Sequence, residues 1–253
     1  MNRNIPYSIL LIIFMCINVE GRGQKVKDPF IIPAINLGIY DGPLTDSVQY
    51  YGLFLIKHII GKQYFFKVKK INTSDYLKRI RQLDYHKVRS DSLIFVFSGI
   101  EFQQTEVVGW VPDDKYKNLY PGQSFLFSLG HGETRHSYHF YAKGDIINSV
   151  DTTSLEVFDG IENYQLRIRL QKEAKIYDQQ IFSRKIERWM VGDYLGGFFN
   201  NWIGDLNGDG MLDMLSSNIA HHECFDIEFR VSTNEDSDGQ ILKTIVKYTL
   251  CGS

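Results

Sequence analysis

Residues 205–213 place an oxygen donor at every second position of the chain. These positions are Asp205, Asn207, Asp209, Met211 through its backbone carbonyl, and Asp213. A calcium ion takes about six to eight oxygen ligands, and a short loop provides them by turning alternate positions inward. Gly210 stands at the sixth position, where such a loop must turn sharply and glycine permits it. The spacing therefore predicts a structural calcium-binding loop over residues 205–213.

A plain turn is the alternative interpretation, because Asn-Gly and Asp-Gly are also the preferred dipeptides of β-hairpins. A turn alone does not explain why Asp205 and Asp213 stand at the two ends of the pattern, so calcium is favoured. Apolar residues flank the loop on both sides and are predicted to lie in the core, where they would hold its ends. They are Trp202, Ile203, Met214 and Leu215.

The segment from Asp205 to Asp213, Asp-Leu-Asn-Gly-Asp-Gly-Met-Leu-Asp, resembles the calcium loop of FG-GAP and VCBS-type extracellular repeats and of dockerins. The resemblance covers this segment alone, in one copy, whereas those propeller repeats carry several. The segment departs from an EF-hand at the twelfth position, where Ser216 stands in place of a bidentate glutamate. The resemblance implies a bound calcium ion, and Asp193 is the candidate for the missing carboxylate ligand.

Residues 1–23 have the order of a cleaved secretory leader. Arg3 is followed by an apolar run from Ile5 to Val19 and then by small residues, including Gly21. The run is shorter than the roughly 20 apolar residues that a transmembrane helix needs. We therefore expect export of the remaining chain, residues 24–253, as a secreted, periplasmic or cell-envelope protein without a transmembrane span.

Cys16 raises the alternative of a lipid anchor on the exported chain. A lipoprotein leader has a small residue immediately before the lipidated cysteine. Met15 occupies that position here, so plain secretion is favoured over lipidation.

Removal of the leader leaves two cysteines, Cys224 and Cys251, which are expected to bond in an oxidising compartment. Two strand-like runs, Phe225–Val231 and Ile241–Leu250, enclose a polar turn at 234–239. Residues that face each other in an antiparallel hairpin have a constant sum of their numbers. The midpoint of the two cysteines falls inside the turn, so the spacing predicts a cross-strand disulfide, unless a bulge shifts the register.

Composition excludes several classes of protein. The chain has 253 residues, 43% hydrophobic and 23% charged, which is typical of a globular rather than a disordered protein. With 28 basic and 30 acidic residues, it has no bulk positive charge for nucleic acid. The 14% aromatic content favours β-structure, where rings pack well on a pleated surface.

The pattern along the chain predicts a mainly β protein of antiparallel, sandwich-like sheets with one or two short helices; an α+β fold is the alternative. Thr73 or Ser74 is the candidate cap of one helix. The loop-like segment 111–122 allows either one domain or two with a boundary there. The predicted strands are Leu53–Ile60, Tyr64–Ile71, Leu93–Phe97, Phe102–Trp110, Phe125–Leu129, Tyr138–Ala142, Leu166–Leu170, Ile176–Ile186, Phe225–Val231 and Ile241–Leu250.

Other candidate sites carry weaker signals. The histidine-bearing segments 131–139 and 221–223 offer zinc ligands, but their spacing is not that of a helical zinc motif. A strand at 138–142 would turn His139 away from Tyr138 and Phe140. The three tryptophans offer surfaces for sugar stacking, although a core position is the commoner fate. The residues involved are His131, Glu133, His136, His139, His221, His222, Glu223, Trp110, Trp189 and Trp202.

Neither a nucleophile elbow nor a nucleotide-binding glycine loop occurs in the sequence. We therefore expect a binding or structural module of the cell envelope, with an extracellular protein or carbohydrate as its ligand. The alternative is a calcium-dependent hydrolase that acts on an extracellular polymer such as a polysaccharide. A binding module should present a surface patch, whereas a hydrolase should present convergent acidic or imidazole groups in a cleft.

Overall fold

The computed structural model describes the chain in residues 29–33, 48–58, 64–72, 93–102, 105–112, 119–130, 135–148, 158–172, 174–187, 198–221, 224–233 and 239–251. The strands in these ranges, in chain order, are β1 (Phe30–Pro33), β2 (Tyr50–His58), β3 (Tyr64–Ile71), β4 (Leu93–Ser98), β5 (Glu106–Trp110), β6 (Ser124–Leu129), β7 (His136–Asn148), β8 (Phe158–Lys172), β9 (Lys175–Glu187), β10 (Phe198–Gly204), β11 (Asp213–His221), β12 (Cys224–Ser232) and β13 (Leu242–Cys251).

The predicted mainly β, antiparallel fold is confirmed. The strand pairings form antiparallel ladders in two sheets, one of nine strands and one of four. The described ranges contain no helix, and therefore none that could cross a membrane. The helix predicted to start at Thr73 or Ser74 lies outside these ranges, as do the leader at residues 1–23 and Cys16.

The larger sheet, in the order β1-β4-β2-β3-β5-β10-β11-β12-β13, is curled into a nearly closed, barrel-like arrangement. Its two edge strands approach each other: the Tyr248 hydroxyl of β13 donates a hydrogen bond to the Ile31 carbonyl of β1. The Tyr248 ring also stacks on Phe30, with centroids 6.1 Å apart. The interior is aromatic, and its fully buried members include Phe66, Phe95, Phe97, Trp202 and Phe229.

The four-stranded sheet, β6-β7-β8-β9, packs one face against the outside of the larger sheet. Trp110 of β5 lies in this second core, with its ring centroid 5.1 Å from that of Phe125 in β6. Phe140 and Ile168 of the smaller sheet and Ile203 of β10 are fully buried in the same core. The many aromatic side chains therefore fill two cores, one inside the curled sheet and one between the two sheets.

Polar contacts also join the two sheets. The Gln179 side chain of β9 accepts hydrogen bonds from the Ile241 and Leu242 amides and donates one to the Leu242 carbonyl at 2.7 Å. Arg230 of β12, only 6% exposed, donates to the Ile181 carbonyl of β9 at 3.1 Å. These bonds satisfy polar groups in an otherwise apolar interface, where an unpaired group is costly.

Most predicted strands are present, but β7 and β8 are much longer than the predicted Tyr138–Ala142 and Leu166–Leu170. The bounds predicted for β3 are those of the structure. The predicted strand Ile176–Ile186 lies within β9, which pairs antiparallel with β8 as expected. The prediction Phe102–Trp110 began too early, because β5 starts at Glu106. Strands β1, β10 and β11 were not predicted. β1 has only four residues, one of them Pro33, which are too few to show an alternating pattern, and β11 buries the consecutive polar residues 216–218.

The predicted disulfide is confirmed, since Cys224 and Cys251 are bonded directly across β12 and β13. The register holds a constant sum from Cys224 to Phe229 and then slips at a bulge between Phe229 and Arg230. The bulge lies on the turn side of the pair, so it shifts the turn without separating the cysteines.

The disulfide predicts a measurable share of the protein's stability. It joins residues 27 positions apart, and the chain-entropy model gives roughly 3–4 kcal/mol for a loop of this length. We expect the double variant Cys224→Ser, Cys251→Ser to lose about that much free energy of unfolding in urea titrations. Reductant should lower the midpoint of the wild type and leave the double variant unchanged; a wild type insensitive to reductant would contradict the assignment.

Candidate functional site

The predicted loop joins β10 to β11 at the point where the two cores meet. Gly204 pairs with Asp213 and Ile203 pairs with Met214, so the strands converge directly at the loop. The flanking residues Trp202, Ile203, Met214 and Leu215 are all fully buried, which confirms their predicted core position. The sheet therefore fixes both ends of the segment that carries the acidic residues.

Asp213 is a carboxylate with no exposed surface. Its Oδ2 accepts hydrogen bonds from the Leu206 amide at 2.8 Å and the Asn207 amide at 3.2 Å. Its Oδ1 is buried and has no hydrogen-bond partner among the described residues. Burial raises the pKa of Asp213 to about 8, against the opposing effect of the Leu206 amide. A buried carboxylate oxygen without a partner is costly unless a proton or a cation compensates it.

Asp205 shapes the turn at the opposite end of the loop. Its Oδ1 accepts the Gly208 amide at 2.7 Å and its Oδ2 accepts the Gly210 amide at 2.9 Å. Both glycines have a φ of +80°, a left-handed conformation that costs other residues energy. Partial burial raises the pKa of Asp205, and the two amides oppose that rise.

Asp209 lies on the exposed side of the loop. Its Oδ1 accepts the Met211 amide at 2.8 Å, and its Oδ2 accepts the Asn207 side-chain amide at 3.0 Å. Ser232 of β12 donates its hydroxyl to the same Oδ2 at 3.1 Å. Ser232 was not among the sequence-predicted site residues, because only the pairing of β11 with β12 brings it near the loop.

The described ranges contain no group of three or more His, Cys, Asp or Glu side chains arranged to hold a metal ion. The ligand set Asp205, Asn207, Asp209, the Met211 carbonyl and Asp213 therefore stays a prediction. Asp193, the proposed additional ligand, lies outside the described residues.

The inner side of the loop is closed by packing. Leu206 and Leu212 are fully buried, and Tyr138 of β7 reaches the loop from the smaller sheet. The Tyr138 hydroxyl accepts the Leu212 amide at 3.2 Å and donates to the Met211 sulfur at 3.8 Å. Burial raises the pKa of Tyr138, which keeps this hydroxyl protonated and neutral. The smaller sheet thus supports the loop from behind.

The other predicted sites are only partly within the described ranges. His139 faces away from buried Tyr138 and Phe140, as expected from strand alternation. Trp110 and Trp202 are at most 2% exposed and belong to the two cores, not to a sugar-binding surface. The residues outside the described ranges are His131, Glu133, Trp189, His222 and Glu223; of His221, only the backbone at the end of β11 is described.

A second polar cluster lies on the outer face of the smaller sheet. Asp178 of β9 accepts hydrogen bonds from the Tyr141 hydroxyl at 2.5 Å, from Arg167 at 2.7 Å and from Arg169 at 2.9 Å. Partial burial raises the pKa of Asp178, but the three donors outweigh it and lower the pKa to about 2. The sequence shows the alternation of Arg167 and Arg169, but their partners come from two other strands.

Comparison with protein-family models, curated proteins and solved structures finds no match to this chain.

Gly210 offers a test of the loop conformation. An added methyl group meets no atom within 4 Å, so Gly210→Ala is strained only by its φ of +80°. We expect a loss of about 1–2 kcal/mol in the free energy of unfolding. Gly239→Ala is the matched control, because its φ is +67° and its surroundings are equally open. Only the Gly210 variant should change calcium binding; equal calcium affinity in the two variants would argue against the loop as the site.

Asp178 predicts an acid-dependent loss of stability. Its folded-state pKa is lowered from 3.8 to about 2, so its stabilising effect is complete above pH 3.8 and is lost as the pH falls towards 2. Asp178→Asn should therefore be less stable than wild type at pH 6, with the difference narrowing at pH 2. Urea midpoints at both pH values measure this, and a difference that stays constant would contradict the ion-pair account.

Proposed function

We propose that the β10–β11 loop binds a calcium ion that stabilises an exported, mainly β binding or structural protein of the cell envelope. The observation that carries the proposal is Asp213 Oδ1, a buried carboxylate oxygen without a hydrogen-bond partner among the described residues. It belongs to a residue whose spacing from Asp205 and Asp209 fits a calcium loop. The chemistry of these donors, which are hard oxygen atoms, supports a hard divalent cation such as calcium.

Electrostatics supports a cation at this loop. Asp205 and Asp209 both act to raise the pKa of Asp213, so the three carboxyl groups disfavour one another's ionisation. Among the described residues, the hydrogen bonds that Asp205 and Asp213 accept come from backbone amides, and neither pairs with a lysine or arginine. A divalent cation would supply the missing positive charge. On binding the ion, Asp209 would give up the hydrogen bonds that it accepts from Asn207 and Ser232.

The proposed role is structural because of where the loop lies. β10 pairs with β5 over only two residues, Ile203 with Trp110 and Gly204 with Gly109, directly beside the loop. An ion that fixes the loop would also fix this short ladder. Among the described residues, Leu206, Leu212 and Tyr138 pack closely against the inner side of the loop. This arrangement favours a stabilising ion over the calcium-dependent hydrolase.

Export is supported by two features of the chain. The leader-like order of residues 1–23 predicts secretion, and disulfides such as Cys224–Cys251 persist mainly in oxidising compartments. Extracellular modules bind calcium with dissociation constants of about 10⁻⁴–10⁻³ M, a range that extracellular calcium can fill.

Calcium should raise the melting temperature of the protein. At 100 times the dissociation constant the ion adds about 2.7 kcal/mol, which corresponds to roughly 5–10 °C in a chain of this size. EDTA should remove the increase, as followed by circular dichroism. In Asp213→Asn, which removes the ionisable carboxyl group while keeping the side-chain shape, calcium should have no effect.

Asp145→Asn is the matched control, because Asp145 is an exposed carboxylate on β7 that bonds Asn163 at 2.8 Å, away from the loop. It should retain the full calcium response. A wild-type melting curve that is the same in EDTA and in calcium would overturn the proposal, as would a normal response in Asp213→Asn.

A further inference from the structure

A shallow pocket of about 200 Å³ opens on the outer face of the four-stranded sheet, beside the Asp178 cluster. Its lining includes Gln123, Ser124, His139, Tyr141 and Arg169. This face is the one turned away from the larger sheet, since the alternate residues of β7 form the core. The pocket is smaller than the roughly 300–1,000 Å³ of drug-sized sites, so it suits a single ring and its substituents.

The cluster around the pocket carries excess positive charge. Lys143 and Arg169 lie over the Tyr141 ring, and Arg167 and Arg169 share Asp178, the carboxylate to which the Tyr141 hydroxyl also donates. Three cations against one carboxylate leave the cluster positive at neutral pH, which favours an anionic ligand.

Arg169 is held in position with part of its guanidinium available. Its Nε and Nη2 donate to Asp178 at 3.1 and 2.9 Å, and its carbon lies 5.2 Å from the centre of the Tyr141 ring. Its Nη1 has no hydrogen-bond partner among the described residues. A guanidinium fixed in this way can offer the remaining N–H groups to a carboxylate with little loss of freedom.

The remaining lining suits a hydroxyl-bearing ring. The Gln123 Oε1 accepts the Tyr120 amide at 3.0 Å, while its Nε2 has no partner among the described residues. Ser124 adds a hydroxyl on the exposed side of β6, directly opposite Tyr141. His139 and Tyr141 stack with centroids 5.4 Å apart and provide flat ring surface. Neutral hydrogen-bonding groups and ring surface match a sugar better than a bare anion.

We propose that this pocket binds a carboxylate-bearing saccharide, with Arg169 holding the carboxylate and Gln123 and Ser124 contacting hydroxyl groups. The inference deepens the binding role proposed above and rests on it, but it does not involve the calcium loop. The proposed binding site for this class of ligand is the outer face of β6, β7 and β8.

The proposal is tested by calorimetric titration of the full chain with a uronic acid trisaccharide and with its neutral, carboxyl-reduced counterpart. We expect the acidic sugar to bind at least tenfold more tightly than the neutral one. Arg169→Gln should weaken the acidic sugar at least tenfold. Lys185→Gln is its control, since it removes an equal charge from the same sheet outside the pocket lining and should bind normally.

A second pair of variants leaves the Asp178 ion pairs intact. Ser124→Asp places a negative charge in the pocket and should abolish binding of the acidic sugar, whereas Ser128→Asp, four residues along the same strand, should not. Equal binding of acidic and neutral sugars, or normal binding by both Arg169→Gln and Ser124→Asp, would overturn the proposal. Inorganic phosphate that binds as tightly as the acidic sugar would also overturn the proposal, because the pocket would then be a simple anion site. If calcium still raises the melting temperature in that case, only the ligand proposal fails.

Discussion

The carboxyl group of Asp213 is buried at the first residue of β11, where the curled sheet and the smaller sheet meet. One of its oxygens organises the loop by accepting two backbone amides, and the other has no hydrogen-bond partner among the described residues. Burial of a carboxylate is unfavourable unless its charge is compensated. The conformation of the β10–β11 loop therefore depends on how this one charge is balanced.

The two cores explain why the loop is fixed so firmly. Trp202 points into the interior of the curled sheet, whereas its neighbour Ile203 packs between the sheets, so β10 contributes to both cores. Tyr138 extends the second core up to the loop itself. On the opposite face of the same smaller sheet, Arg169 and Tyr141 lie on an exposed polar surface. Strand alternation thus lets one sheet support the proposed ion site and present the proposed saccharide site.

The sequence was sufficient to predict the features that depend on local pattern. The alternation of apolar and polar residues predicted most strands. The constant sum of residue numbers across a hairpin predicted the Cys224–Cys251 pair, because the bulge at Phe229 lies between the pair and the turn. Features built from distant strands had no such signal. Ser232 reaches Asp209, and Asp178 collects donors from β7 and β8, only through sheet pairing. The short edge strand β1 and the strands β10 and β11 on either side of the loop show no clear alternation and were not predicted.

The central claim is that the loop takes up one calcium ion through Asp213. Equilibrium dialysis against radioactive calcium, with the wild-type chain and Asp213→Asn compared side by side, measures this directly. The account predicts one bound ion per wild-type chain and none in the variant at the same free calcium concentration. No bound calcium in the wild type at millimolar concentration, or equal binding by the variant, would contradict it.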